Sequence, residues 1–325
     1  MRVAVDVGYG WTKALSEDGR KVSFPSAVSR AITDTTGGLF ISLPHEVKIN
    51  GANWFVGERA KQCVSCLTLP GQSRKNGEVH DILLLTASYL AGAGENGDKP
   101  ELAVGLPLAY FKSQRDWLAE HVQGLNAWVG VNGTERHISF THAEVFPQGA
   151  GILALCTDLP TRGYILLIDV GTYTTEFLLF EVRQVDGRVR YIPIPDACSS
   201  IEVGVHTVHQ ALAISWREKA GVPLPDRMVE EVAQAAAKGE PVLHAGRTVD
   251  LTKQYHAAVK QTATAIEAGI KSVLQDRAEF VAKTVLAGGG AHVFGSHLRM
   301  AFPNSETLPD PVYGNAKGYL RLMQN

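Results

Sequence analysis

Apolar residues recur with two periods along the chain, and the alternation between them separates strands from helices. Short apolar runs bounded by turn residues predict strands at Arg2–Val7, Trp11–Leu15 and Lys21–Phe24. A hairpin follows, Glu46–Ile49 and Asn53–Val56 about the turn Asn50-Gly51. Pro44 and a Thr33–Gly38 loop interrupt that region and mark a small subdomain. Ile82, Leu85, Tyr89 and Leu90 fall near one face of a helix over about Val79 to Leu90. Glu101–Gly105 is a strand, and Ser113 opens a helix in which Asp116 resembles a capping box. Strands His137–Phe140 and Ala143–Phe146 lead into a helix from about Gln148.

The second half reads in the same way. Strands Tyr164–Asp169, Thr175–Val182 and Arg188–Ile194 form a meander. Helices follow at Val203–Ala220, ended by Gly221 and Pro223, and at Arg227–Lys238, between a cap at Asp226 and a stop at Gly239. Thr252–Leu274 is a long helix with apolar Tyr255, Val259, Ile266, Ile270 and Val273. A strand Lys283–Ala287 runs into Gly288-Gly289-Gly290, then a helix near Phe294–Ala301, and a last helix covers Asn315–Met323 after Pro311. Strands mixed with helices throughout predict an α/β class.

The two halves repeat one pattern. Val3-Ala4-Val5-Asp6-Val7-Gly8-Tyr9-Gly10-Trp11-Thr12 opens the chain, and Leu166-Leu167-Ile168-Asp169-Val170-Gly171-Thr172-Tyr173-Thr174-Thr175 opens the second half. Asp, Val, Gly and Thr match in register. Each copy is followed by a strand and an Asp-Gly turn, Asp18-Gly19 and Asp186-Gly187, a strong hairpin signal. The repeat predicts two related halves in the 325 residues, a length that by itself suggests two domains.

Composition narrows the function classes. Hydrophobic residues at 45% and charged residues at 20% exclude a mainly disordered or fibrous chain. A net charge of −2 leaves no electrostatic footprint for nucleic acid or anionic membrane. Apolar stretches such as Ile82 to Gly94 are too short for a span of about 20 residues. An acid at Asp6 comes too early for a signal peptide, and four cysteines in such a length read as reduced thiols, so the expectation is cytoplasmic.

Three segments carry candidate chemistry. In Asp6-Val7-Gly8-Tyr9-Gly10-Trp11-Thr12-Lys13 a strand ends at an acid and a glycine-rich turn leads into the next strand. Backbone amides in such a turn form an anion site, Thr12 and Lys13 add a hydroxyl and a charge, and the acid suits Mg²⁺ held through water. Asp169 to Thr175 repeats the acid, a glycine and a cluster of hydroxyls. Gly288-Gly289-Gly290 lets backbone approach a base or phosphate closely. Each segment alone also reads as a plain turn. Walker A, Gly-x-Gly-x-x-Gly after a strand, Gly-x-Ser-x-Gly and His-Glu-x-x-His are absent from the sequence, which removes support for four common enzyme classes.

The two Asp-Val-Gly loops with the late Gly-Gly-Gly-Ala resemble the actin-like ATPase superfamily. Asp-Val-Gly-Tyr-Gly-x-Thr-Lys at the start and Val104-Gly105-Leu106-Pro107-Leu108-Ala109-Tyr110 are similar to segments of the ParM/StbA plasmid actins, and archaeal actin-like proteins are equally similar. The resemblance implies an actin-like, ribonuclease H-like duplicated fold of two α/β domains with an interdomain nucleotide cleft. Domain I is then expected over 1–158, with a small subdomain at about 30–75 and completion by a C-terminal helix in 312–325, and domain II over 159–311. By the same resemblance Asp6 and Asp169 contact hydrated Mg²⁺ and orient the attacking water. Gly8, Tyr9, Gly10, Thr12 and Lys13 hold phosphates from one domain, and Gly171, Thr172, Tyr173 and Thr174 from the other. Gly288, Gly289 and Gly290 lie against adenosine, and Gln148 positions water, although plasmid members often carry an acid near that place.

The implied function is an ATP-binding and ATP-hydrolysing filament protein for plasmid or DNA segregation, with ATP/ADP and Mg²⁺ as ligands. Its implied partners are its own protomers and a DNA-binding adaptor, without direct nucleic-acid or membrane contact. A monomeric small-molecule kinase of the same fold and a non-hydrolysing nucleotide-dependent scaffold are the alternatives. Other signals are discounted. Cys63-Val64-Ser65-Cys66 lacks a second ligand pair for zinc, and His206 and His209 read as packing or surface residues. Arg183, Arg188 and Arg190 read as a solvated edge.

Overall fold

A computed structural model describes residues 1–31, 46–69, 77–302 and 304–324. The Thr33–Gly38 loop and Pro44 lie outside the described residues. The chain divides into two compact units, Met1–Cys156 with Val312–Asn325, and Thr157–Pro311.

In the first unit a five-stranded sheet has the order His142–Pro147, Glu101–Leu106, Arg2–Val7, Trp11–Ser16, Lys21–Pro25. Arg2–Val7 pairs antiparallel with Trp11–Ser16, and parallel with Glu101–Leu106. The second unit has Arg188–Ile201, Thr175–Val185, Gly163–Val170, Val281–Ala287 and Ser305–Thr307, again an antiparallel meander followed by parallel strands. The repeat seen in the sequence is thus a repeat of topology: a three-stranded meander whose first strand also pairs with a strand from much later in the unit.

The first unit holds a second, six-stranded sheet that joins Glu46–Ile49 and Ala52–Val56 to Asn126–Val131, Thr134–Ser139, Ala27–Arg30 and Leu67–Thr68. The helix Glu78–Leu90 packs against strands of both sheets. It therefore buries Leu83 and Leu84 as fully as the predicted face, and the one-sided stripe becomes an apolar helix covered on two sides. In the second unit Thr252–Leu274 buries Ala258, Thr262, Ile266, Ile270 and Leu274, one row at four-residue spacing, and packs on the helices Val205–Ala220, Val229–Lys238 and Ala291–Ala301.

The last helix, Gly314–Leu322, belongs to the first unit. Its Tyr319 is fully buried and stacks on Phe146 with ring centroids 5.6 Å apart. Gly105 leaves room for that ring, since a Cβ there would meet the Tyr319 hydroxyl. Gly318 and Gly151 press backbone to backbone, so that a Cβ on either would lie 2.5 Å from the other's carbonyl carbon.

Several predicted boundaries are corrected. The helix assigned to Ser113 begins at Leu108, directly after Pro107, and the Ser113 hydroxyl donates back to the Tyr110 carbonyl from within it. Gln148 does not open a helix: a turn with Gly149 at φ 86 leads to a 3-10 turn at Ile152–Leu155. Asp226 makes no side-chain cap; it lies in a 3-10 turn, Asp226–Met228, and the helix starts at Val229. The strand from Arg188 runs past Pro193 and Pro195 to Ile201, because it is an edge strand with a register shift, where proline is tolerated. Among the described residues no helix is long and apolar enough to cross a membrane.

Candidate functional site

Each unit builds a loop between the first two strands of its meander. In the first, Asp6 and Lys13 are cross-strand partners, and Lys13 Nζ lies 3.6 Å from Asp6 Oδ2. Asp6 is 3% exposed, so its charge needs these neighbours. The second comes from Gln148, whose Nε2 donates to Asp6 Oδ1 at 3.1 Å. Gln148 is itself pinned by its backbone N–H to the Leu106 carbonyl, and the next amide, Gly149, donates to Asn315 Oδ1 of the last helix. That is why a turn at the end of one strand and the C-terminal helix both bear on the opening acid.

The turn itself is narrow. Gly8 N donates to the Trp11 carbonyl at 3.1 Å, and a Cβ at Gly8 would come within 2.7 Å of that same oxygen. Ser26 fastens it from behind: its backbone donates to the Gly10 carbonyl and its hydroxyl to the Gly8 carbonyl. Thr12 is fully buried and shares a 2.9 Å hydrogen bond with Ser26, so its hydroxyl braces the loop from inside. Tyr9 packs its ring against the core of the unit, which leaves its backbone to the loop.

In the second unit the loop Gly171–Thr174 closes with Gly171 N donating to the Thr174 carbonyl at 2.8 Å. Its carbonyls cap a helix: Val205 and His206 amides donate to Gly171 and Thr172. Gly204 permits that approach, because a Cβ there would lie 2.7 Å from the Thr172 oxygen. Tyr173 stacks on His206 with centroids 4.4 Å apart. Burial pushes the Tyr173 hydroxyl up and the His206 imidazole down, Asp226 adding to the first and opposing the second.

Of the three consecutive glycines, Gly288 meets Asp169 and Gly290 meets Val170. Gly288 has φ +79, and a Cβ on it would collide with Asp169 Oδ1 and the Val170 carbonyl. Gly290 N donates to that carbonyl at 2.9 Å, and its Cα lies against Val170. Around a Cβ on Gly289 no described atom falls within 4 Å, so this glycine faces open space.

Glu176 escaped the sequence reading. It is the cross-strand partner of Asp169, 2% exposed, and accepts hydrogen bonds from Thr174 Oγ1 at 2.7 Å and Ser200 Oγ at 3.1 Å. Burial raises its carboxyl to about 7; the Asp169 charge adds to this, while the two hydroxyls pull the other way. The signal was available: Glu176 follows Thr175 where Lys13 follows Thr12.

The structure thus assembles Asp6, Lys13, Gln148 and the Gly8–Thr12 turn in one unit, and Asp169, Gly171–Thr174 and Gly288–Gly290 in the other. Cys63 and Cys66 are free thiols, and no group of three or more candidate metal ligands occurs among the described residues.

Residues 4–151 match the family model of actin-like proteins, N-terminal domain, and residues 167–300 that of the archaeal actin homologue, MreB-like, C-terminal domain. The chain thus carries an actin-like N-terminal domain and an archaeal MreB-like C-terminal domain. An archaeal actin homologue of Thermoplasma acidophilum is 24% identical over 331 residues, spanning 98% of this chain and 97% of its own. A homologue of Thermoplasma volcanium is 24% identical over 328 residues, with the same shares. Among solved structures, a 15-stranded ParM filament from Clostridium botulinum superposes with a TM-score of 0.87 at 24% identity, over 99% of each chain. An archaeal actin homologue in complex with ADP superposes with a TM-score of 0.79 at 21% identity, over 99% of this chain and 98% of its own. At such identities the structures speak for a shared fold.

Proposed function

We propose that this protein binds and hydrolyses ATP with Mg²⁺ and assembles into filaments in a nucleotide-dependent way. The observation that carries this is the duplicated hairpin: in each unit a buried acid stands at the mouth of a tight turn, opposite Lys13 in one and Glu176 in the other. The relatives that form a filament or bind ADP support it.

The residues suit the ligand. Glycines at 8, 288 and 290 stand where a side chain would strike the protein itself, so each holds its loop in a tight turn, and the backbone amides of such turns suit a phosphate. Gly289, open on its outer side, suits a flat adenosine. Gly8, Tyr9, Gly10 and Lys13 would hold phosphate oxygens in the first unit, and Gly171, Thr172 and Tyr173 in the second. Asp6 and Asp169, buried at strand ends, would hold Mg²⁺ through water, and the ion when bound neutralises phosphate charge. Gln148 keeps the Asp6 carboxylate oriented and is the candidate for positioning the attacking water. Such a site works by positioning and charge rather than by covalent chemistry.

The biological role we infer is segregation of plasmid or other DNA, with an adaptor protein gripping the DNA. The net charge of −2 supports a chain that reaches DNA through a partner. The test is ATP turnover by the purified protein with no added phosphoryl acceptor, beside the Asp6→Ala and Asp169→Ala variants. Phosphate release by the wild type that both substitutions abolish is expected. Release unaffected by either, or phosphoryl transfer to a sugar in its place, overturns the proposal.

A further inference from the structure

Two acids directly opposite each other across an antiparallel pair repel, and the first unit avoids this by placing Lys13 opposite Asp6. The second unit places Glu176 opposite Asp169 and buries it. An acid kept at such a position has another task, and its hydrogen bonds show which. Glu176 stands in the middle of a row across three strands, Asp169, Glu176 and Ser200 being register partners in turn. It accepts from Ser200 on the neighbouring strand and, at the shorter distance of 2.7 Å, from Thr174 in the loop.

A threonine hydroxyl has one proton and two lone pairs. The Thr174 proton is directed at Glu176 Oε1. The hydroxyl therefore has no proton left for a phosphate oxygen and offers only lone pairs outward. We propose that Glu176 is a positioning residue of the second loop, which turns Thr174 from a phosphate donor into an acceptor for water on the Mg²⁺ that accompanies the nucleotide. This assignment rests on the nucleotide-binding function proposed above and adds a division of labour to it: the anion is held by other groups of the loops, and Thr174 faces the hydrated cation. Ser200 only braces Glu176 from the far side.

The test is the binding of a fluorescent ATP analogue to the full chain, titrated with Mg²⁺, with thermal melts as the check on folding. Thr174→Val and Glu176→Leu each raise the Mg²⁺ concentration for half-maximal binding by about tenfold, the loss of roughly one hydrogen bond. The double variant is no worse than the poorer single one, because Glu176 acts through Thr174. Glu176→Gln keeps an acceptor oxygen and recovers most of what Glu176→Leu loses, and should Glu176→Leu not fold, Glu176→Met takes its place. Ser200→Ala leaves the Mg²⁺ requirement within about twofold. Multiplicative effects of the two singles, a Mg²⁺ requirement equal to wild type in folded Thr174→Val, or an effect of Ser200→Ala as large as that of Thr174→Val overturns the assignment. Failure of the wild type to bind the analogue at all is a separate result, which overturns the nucleotide-binding function and the assignment with it.

Discussion

Gln148 Nε2 donates to Asp6 Oδ1 at 3.1 Å, both residues buried and 142 positions apart in the chain. A buried carboxylate that loses such a donor loses its orientation. Gln148→Ala is therefore expected to slow phosphate release by about 10- to 100-fold, the equivalent of roughly 1.5–3 kcal/mol for a hydrogen bond to a charged group. Nucleotide affinity should move far less. Parallel binding and phosphate-release assays check this, and turnover at the wild-type rate would remove Gln148 from the site.

The three consecutive glycines are not equivalent. Gly288→Ala forces a side chain into φ +79 and against Asp169, so it should destabilise the second unit by about 2–4 kcal/mol. Gly289→Ala meets open space and should leave the melting temperature close to wild type. It should nonetheless weaken nucleotide binding if adenosine lies on that face. Thermal melts with and without nucleotide separate the two effects.

Gly151 and Gly318 offer a test of the packing that ties the last helix into the first unit. A methyl group on Gly318 would stand 2.5 Å from Gly151 backbone, where neither partner is a flexible side chain. Gly318→Ala should lower the urea midpoint, at a cost of about 1–3 kcal/mol for overpacking. An unchanged midpoint would mean that the helix shifts freely.

Glu176 predicts a pH dependence of stability. Its folded carboxyl sits at about 7, above the ordinary value of 4.5, so the native state holds a proton that the unfolded chain releases. Stability from this group is fully present below about 4.5 and declines as the pH rises towards 7, then levels off. Glu176→Gln lacks that decline. In chelator and without nucleotide, its melting temperature should gain on wild type by roughly 5 °C or more between pH 5 and pH 8. A constant difference between the two proteins would contradict the burial argument.

How far the sequence reveals the structure depends on whether a feature is local. Thr252–Leu274 is legible to the residue because its apolar row keeps a helical period. The hairpins at Asn50-Gly51 and Asp186-Gly187 are legible because both turn residues take positive φ, as their chemistry favours. The start of the helix at Leu108 is hidden because a serine with an acid three positions on imitates a cap, while the true start follows Pro107. The edge strand through Pro193 and Pro195 reads too short in the sequence because proline breaks a strand in isolation and is tolerated at a sheet edge. In the site, Asp6 and Asp169 stand out through the repeat. Ser26 and Asn315 do not: each is a common polar residue whose partner is set only by the fold.

Sedimentation of the purified protein over a range of concentrations, with Mg²⁺ and either ATP or ADP, decides whether nucleotide state governs assembly. Actin-like assembly driven by ATP predicts a sharp critical concentration with ATP and a clearly higher one with ADP, with filaments in electron micrographs of the ATP pellet. Equal critical concentrations in the two nucleotides, or a protein that stays in the supernatant while it turns ATP over, would contradict it.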